Sequence, residues 1–512
     1  MDFCPHDFER FDLDNLAYEM VFADGWDFER LCEEAFGAAG DELQSEQSRN
    51  YIEMEENKRS IHYAVPGVDA VQHIILSEKR DDGMEMSGFQ WIKSIFAQAK
   101  EESHSGNPEK KLVLTHRKDE DTEIDEFIDQ NHNVIFSAWP CCPYCHNRLP
   151  MHWETAEDFA PVALMGPTGG GKTSFLYSAL FDEWRSVDYL GKFKQDIQIY
   201  SAHAQEDETD TMYYSIVRAA REMCRDYGKC PQNTDKEHWI PPVFVVAECG
   251  EHRTIIGIYD NAGETLAKMN ALKKRMVTML QKRMFADIFL FTPESLNIHG
   301  KSAGENGAAP AVRSLEGEVL TLEEQGRNQG AGKSVSAAQL LFQLPQGSNQ
   351  SQEPAEEVDT TFQVYKALKN SRNAARQKVR MRKQMYFAGA LIKSDLMEHM
   401  EGVADNDLYR CLFERARPAE TISLETLGLR SSLVSQMIQE LDLIDEQDIS
   451  DITETYGGDS RDSVSWHCIS ALGCDAEMAG HLKGRYQPIR VAEPLVMVIL
   501  KRFRDNGWLE EG

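Results

Sequence analysis

The chain has 512 residues, 41% of them hydrophobic and 27% charged, and a formal net charge of −31. That length accommodates several domains and a large core, while the acidity excludes nucleic acid and anionic membrane as main partners, because both would be repelled. No apolar run reaches the ~18 residues of a membrane span and no basic-then-apolar leader is readable, so no membrane span and a cytoplasmic location are expected. The 11 cysteines are scattered apart from one cluster, against a disulfide framework.

Residues 1–130 read as an N-terminal α+β region without a legible role. In 11–36, Leu13, Leu16, Met20, Val21, Phe28, Leu31, Cys32 and Phe36 recur at roughly helical spacing and predict one or two acidic helices. Residues 63–76 and 88–99 mix strand and helix signals. Residues 101–130 are dominated by charge and predict a solvated connection. The segment 131–155 holds Cys142-Pro143-Tyr144-Cys145. Two thiolates with two residues between them can grip one tetrahedral Zn²⁺ from a tight turn. Two more ligands are needed. Cys4, His6 and Asp7 offer a degraded partner knuckle, and Cys141, His146 and His152 are nearer candidates. Reduced, metal-free cysteines packed in a turn are the plain alternative.

Residues 156–297 are clearer. An apolar run at 161–165 leads into Gly166-Pro167-Thr168-Gly169-Gly170-Gly171-Lys172-Thr173, followed by apolar periodicity over 174–184. Strand, Gly-x4-Gly-Lys-Thr and helix make the phosphate-binding P-loop. Glycines turn backbone N–H groups inward with no Cβ in the way, and the helix N-terminus, from Ser174 on, adds its partial positive charge. Lys172 would reach the β/γ-phosphates and the Thr173 hydroxyl would ligate Mg²⁺. A strand at 195–200, a helix at 211–227 and an antiparallel hairpin of 241–248 with 254–260 follow. A long helix over 264–284 and a buried strand over 286–291 close this part.

Residues 298–384 are an insertion, first rich in Gly, Ser, Gln and Asn, with a helical turn or strand at 335–344, then helical over 360–384 with a basic end. Residues 385–512 return to α/β character. They carry strands at 386–392 and 464–471, helices including 431–443, and a closing helix over 493–506.

Several strands finish at a residue with a chemical use, and in an open α/β sheet ligands sit at the carboxyl ends of strands. Asp260 is placed to hold Mg²⁺, directly or through water, although an Asp there also caps a following helix. Gly263 could give its N–H to a γ-phosphate. Lys393-x-Asp395 ends the next-but-one strand. A carboxylate there accepts from guanine N1–H and the 2-amino group, donors that adenine lacks, and a lysine stem lies along the base; an ordinary helix cap is the alternative. Ser470-Ala471 would bring a backbone N–H to the guanine carbonyl.

The order of these motifs resembles the translation-factor-related (TRAFAC) class of P-loop GTPases, and more narrowly the double-GTPase-type (DO-GTPase) proteins of bacterial conflict systems. The resemblance rests on residues 166–173, 258–264, 286–291, 390–396, 469–473 and 488–495, with the Cys-Pro-x-Cys knuckle before the P-loop. It covers 141–295 and 385–505. It implies a Ras-like, mostly parallel sheet with one antiparallel hairpin strand, GTP and Mg²⁺ as cofactors, and a GTPase acting as a switch toward a protein effector. It also implies a switch threonine on Mg²⁺: Thr234 is chosen, with Thr209 and Thr211 as rivals. Glu264 stands where Ras-like enzymes orient water with glutamine, and Ile392 where the guanine motif has Asn or Thr. Hydrolysis is therefore expected to be slow, and base affinity weaker. An ATPase of a related P-loop class, or a nucleotide-dependent scaffold with little hydrolysis, stay open.

Overall fold

The computed structural model describes residues 1–34 in part, 51–54, 73–76, 114–119, 122, 124–167, 170–181, 196–203, 211–231, 242–260, 284–292, 296, 361–376, 385–398, 402–415 in part, 421–457, 461–474, 476 and 480–509. The helix expected over 264–284, the Gly- and Ser-rich stretch of the insertion, and 88–99 lie outside the described residues, as do Thr209, Thr234, Gly263, Glu264 and Gly169.

Two sheets organise the chain. The first is antiparallel throughout, in the order β2-β3-β1-β6-β5-β4, from β1 (Ala17–Phe22), β2 (Tyr51–Met54), β3 (His73–Leu76), β4 (Thr115–Lys118), β5 (Asp125–Ile128) and β6 (Val134–Cys141). It corrects two expectations. Residues 17–22 form a central strand, not part of a helix. Residues 16–20 are buried without a break, so both faces of β1 are covered; Leu16 and Met20, four apart, satisfy a helical and a strand period alike. The charged stretch 101–130 contains β4 and β5 rather than only a solvated connection. Its charges pair across the strands: Arg117 Nε donates to Glu126 at 2.6 Å and His116 Nε2 lies 2.6 Å from Asp125.

The second sheet is seven-stranded, in the order β13-β12-β11-β7-β10-β9-β8. Its members are β7 (Asp158–Met165), β8 (Ile197–Ser201), β9 (Val243–Cys249), β10 (His252–Asp260), β11 (Ala286–Phe291), β12 (Tyr386–Leu391) and β13 (Val464–Cys468). β13, β12, β11, β7 and β10 are parallel neighbours. β9 pairs antiparallel with β10 on one side and β8 on the other, so β9 alone runs against the rest. The protein is therefore an α/β protein with a mostly parallel sheet, joined to an antiparallel one.

The parallel sheet is covered on both faces, which is why β12 reads as an unbroken apolar run and β11 as one broken only by Asp287; every residue of each is buried, and the Asp287 carboxylate accepts from the Tyr456 hydroxyl at 2.6 Å. One face packs Phe289, Phe291, Phe387, Trp466, Tyr365 and Tyr456. The other packs Leu164, Ile288, Leu290, Leu495, Val498 and Phe503, from the strands and the closing helix Glu493–Asp505. That helix is pinned below the sheet by Arg502, whose guanidinium makes a bidentate pair with Asp158 at the start of β7. Among the described residues, no helix is long and apolar enough to cross a membrane.

Candidate functional site

Parallel strands end on a common edge, so β7, β10, β11, β12 and β13 present their last residues together. Met165 hands over to the glycine loop, which the structure describes at Gly166, Pro167 and Gly170 onward. Gly171 has φ 71°, a left-handed conformation that favours glycine. A Cβ on Gly170 would stand 2.9 Å from the Pro167 carbonyl oxygen, so the close turn needs glycine there too. The helix Lys172–Phe181 starts at once. Lys172 is only 8% exposed. Its ammonium folds back over the loop and donates to the carbonyls of Gly166 at 3.1 Å and Pro167 at 2.9 Å.

Asp260 ends β10, the parallel neighbour of β7, where it pairs with Leu164. Thr173 Oγ1 donates to Asp260 Oδ2 at 3.0 Å, joining residues 87 apart in sequence. Burial raises the Asp260 carboxyl above its usual 3.8, and the Lys172 charge and the Thr173 hydroxyl oppose that rise. A desolvated carboxylate hydrogen-bonded to the hydroxyl of the residue after the loop lysine is an arrangement that can hold a divalent cation. Ser174 is half-buried on the first turn.

Lys393, Ser394 and Asp395 follow β12. Ile392 N donates to the Phe291 carbonyl at 3.1 Å and Ser394 N to the Ile469 carbonyl at 3.1 Å, so this segment lies between the ends of β11 and β13. Lys393 has φ 56°, the left-handed turn that starts the short helix Ser394–Met397. Asp395 is half-buried. Ile392 is buried, and its Cδ1 would lie 3.9 Å from a Cβ on Gly171, so the base segment abuts the glycine loop through an apolar contact.

Ser470 stands beside this segment with one correction. Its N–H donates to the Ile489 carbonyl at 3.0 Å and its Oγ accepts from Gly473 N at 3.0 Å. The Ser470 amide is thus spent on the fold. The structure brings Gly166, Gly170, Gly171, Lys172, Thr173, Asp260, Lys393, Asp395, Ser470 and Ala471 to one sheet edge.

Two contributors were missed in the sequence. Thr361 Oγ1, at the start of the helix Thr361–Arg376, donates to the Leu290 carbonyl at 2.9 Å, so the chain returns from the insertion at this same edge. Threonine before an apolar-periodic run is the signal for such a start. Tyr177 is buried on the loop helix, its phenol pushed up to about 12 by burial and by the Asp260 charge.

The cysteine cluster is a second group, next to Tyr259 of β10, whose hydroxyl donates to the Pro5 carbonyl. Cys4, Cys142 and Cys145 are all buried, with their sulfurs within 4.8 Å of one another. Hydrogen bonds from the Cys145 and Cys4 thiols, with backbone donors, bring the Cys142 thiol down to about 3 against the effect of burial, while burial pushes Cys4 well up. Of the other ligand candidates, His6 places Nε2 2.9 Å from the Arg148 carbonyl, Cys141 donates to the Trp139 carbonyl at 3.5 Å and His152 Nδ1 lies 3.0 Å from Arg253 Nη1.

A scan against protein-family models finds no match for this chain, and a search of the curated proteins finds none either.

Asp260→Asn separates a cation site from a cap. A carboxyl whose folded pKa is raised costs stability above its unfolded value, here the usual 3.8, and that cost is relieved only as pH falls. Removing the charge is therefore expected to stabilise the nucleotide-free protein at neutral pH by about 0.5–2 kcal/mol. It should also weaken Mg²⁺-dependent nucleotide binding. Urea unfolding in chelator measures the first effect; a loss of stability there would make Asp260 a structural residue.

Proposed function

We propose that this protein is a GTP-binding switch with slow, Mg²⁺-dependent GTP hydrolysis. The observation that carries the reading is the Thr173–Asp260 hydrogen bond of 3.0 Å beside the folded-back Lys172. It joins the glycine loop to the end of the neighbouring parallel strand where a metal–phosphate pair would sit. In this reading Thr173 and Asp260 hold Mg²⁺, the loop amides cradle the phosphates, and Lys172 exchanges two carbonyls for phosphate oxygens. Asp395 accepts from guanine N1–H and its 2-amino group, the Lys393 stem covers the base, and the Ala471 amide meets its carbonyl. Thr234, Gly263 and Glu264 keep the roles that the resemblance implies: Thr234 and Gly263 ordered by the γ-phosphate, Glu264 orienting water.

Sheet topology supports GTP over the ATPase alternative, because an ATPase of that related class is expected to pair its strands in parallel throughout, and β9 is antiparallel. The insertion (298–384) and the N-terminal sheet are the places for a protein effector to read the switch, and the resemblance puts that effector in bacterial conflict or defence. Ile392 favours modest base affinity, since an apolar side chain fills its place against the loop.

Competition between GTP and ATP against a fluorescent guanine nucleotide tests the assignment. Two hydrogen bonds to a charged acceptor are worth about 3–6 kcal/mol, so Asp395→Ala should cut the preference for GTP by about 100-fold or more, leaving ATP affinity in place. Equal binding of the two nucleotides by the native protein, or unchanged selectivity in Asp395→Ala, would sink it. Single-turnover phosphate release then separates a slow GTPase from a scaffold: a rate equal to that of buffer favours the scaffold.

A further inference from the structure

The segment at Cys4 and the segment at Cys142 have the same backbone. Each is Cys-Pro: Cys4-Pro5 and Cys142-Pro143. In each, the N–H two residues on points at the cysteine sulfur, His6 N to Cys4 Sγ at 3.3 Å and Tyr144 N to Cys142 Sγ at 3.4 Å. In each, the N–H four residues on closes the turn on the cysteine carbonyl, from Phe8 and from His146, both at 2.9 Å. Those closing residues share a left-handed conformation, φ 60° at Phe8 and 59° at His146. An antiparallel bridge flanks each turn with the same offset, Phe3 with Arg10 and Cys141 with Arg148. Two segments 138 residues apart thus form matched knuckles facing each other.

Their sulfurs meet. Cys4 Sγ and Cys145 Sγ are 3.6 Å apart. That is far beyond a disulfide at ~2.05 Å. It fits two ligands of one tetrahedral ion, since bonds of ~2.3 Å place sulfurs about 3.75 Å apart. N–H groups already point at all three sulfurs: Asn147 Nδ2 donates to Cys145 Sγ at 3.3 Å and Cys145 N to Cys142 Sγ at 3.5 Å. Such donors are the outer support of a thiolate site, because they stabilise negative sulfur without competing for the metal. His6 is not the missing ligand. It stands at the position of Tyr144, and its Nε2 is used on the Arg148 carbonyl. The counterpart of Cys145 in the first knuckle is, by sequence register, Asp7, which lies outside the described residues.

We propose that the two knuckles bind one Zn²⁺ through Cys4, Cys142 and Cys145. Three thiolates supply three corners of a tetrahedral zinc shell. The ion would clip the start of the chain onto the parallel sheet. Phe3 packs edge-on against Phe159 of β7 at 5.5 Å, His6 against Phe244 of β9 at 5.3 Å, and Tyr259 of β10 donates its hydroxyl to the Pro5 carbonyl at 2.5 Å. This clip does not depend on any reading of the nucleotide edge.

Metal analysis of the full-length protein, purified under reduction, is expected to give about one Zn per chain. Exchange with Co²⁺ should produce a thiolate-to-metal charge-transfer band with the intensity of three thiolates. Cys4→Ser should weaken zinc binding as strongly as Cys142→Ser. If the cysteine variants do not fold, the Co²⁺ band of the native chain still decides. A native chain that carries no zinc and takes up no Co²⁺ overturns the site. Full zinc retention by Cys4→Ser overturns the two-knuckle arrangement.

Discussion

In the proposed reading, Lys172→Ala is expected to weaken GTP binding by about 10- to 100-fold and to weaken ATP binding equally. The size follows from a charge-assisted contact to phosphate worth about 1.5–3 kcal/mol, at 1.4 kcal/mol per decade. The equality follows from geometry: Lys172 sits at the glycine loop, and both nucleotides share the phosphates that such a loop holds. Asp395→Ala should do the opposite and spare ATP, so the pair of variants divides phosphate binding from base selection. The native lysine is also a brace, bonded to the carbonyls of Gly166 and Pro167 and opposing the rise of the Asp260 carboxyl. Lys172→Met, which keeps much of the buried stem, tests whether lost packing matters. If Lys172→Met binds nucleotide as the native protein does, the ammonium has no phosphate to hold. Titration with fluorescent GTP and ATP analogues in Mg²⁺ reads all of these.

The residues at the sheet edge were legible because each follows a buried strand. Runs such as 286–291, apolar but for Asp287, and 386–391 do not alternate as an amphipathic surface element would, and a polar residue after such a run stands at a strand end. Asp260, Lys393 and Ser470 were placed that way, and their order along the chain carried the rest. The N-terminal sheet was illegible for a physical reason. Leu16 and Met20 are four residues apart, a spacing that one helix turn and two strand pleats share, and burial that runs unbroken from Leu16 to Met20 leaves no alternation to read. Glu19 was unreadable as well, because its partner is remote: Arg148 Nε donates to it at 2.7 Å in a buried pair. β4 and β5 were hidden by charge, since Arg117 and Glu126 look solvated until the strands place them opposite each other. The role of Cys4 needed a long-range contact that no local period encodes; the repeated Cys-Pro dipeptide was the one sign of it.

Glu493→Ala is expected to destabilise the protein by about 3–5 kcal/mol, the usual cost of removing one partner from a buried ion cluster. Glu493 opens the closing helix, is 2% exposed, and takes Arg430 and Arg490 on the same carboxylate oxygen, each at 2.9 Å. Burial would push its carboxyl up. Nearby His467, with Nδ1 4.0 Å from the carboxylate, and the charges of Arg430 and Arg490 outweigh that and hold it at about 2. Alanine strands two guanidiniums in the interior; no water can replace the carboxylate at comparable strength. The cluster also fixes the loop that ends at Ala471's neighbours: Arg490 Nε donates to the Glu414 carbonyl at 2.9 Å, and Ile489 beside it bridges Ser470. In the proposed GTP-binding reading, loss of Glu493 should therefore loosen the Ser470 side of the sheet edge more than the glycine loop, reducing GTP preference before it reduces ATP binding. The pH dependence has a definite sign. A carboxyl held at about 2 against its usual 4.5 gives stability that is complete above 4.5 and is lost as pH falls toward 2. His467, buried and held below its usual 6.5, adds a smaller loss that begins as pH drops under 6.5. Glu493→Gln keeps the shape and one acceptor oxygen, so it should cost less than alanine and should flatten the loss below pH 4.5 while leaving the step near 6.5. Urea midpoints taken across that range measure both, and a Glu493→Gln profile parallel to the native one below pH 4.5 would show that the carboxylate is not what the cluster turns on.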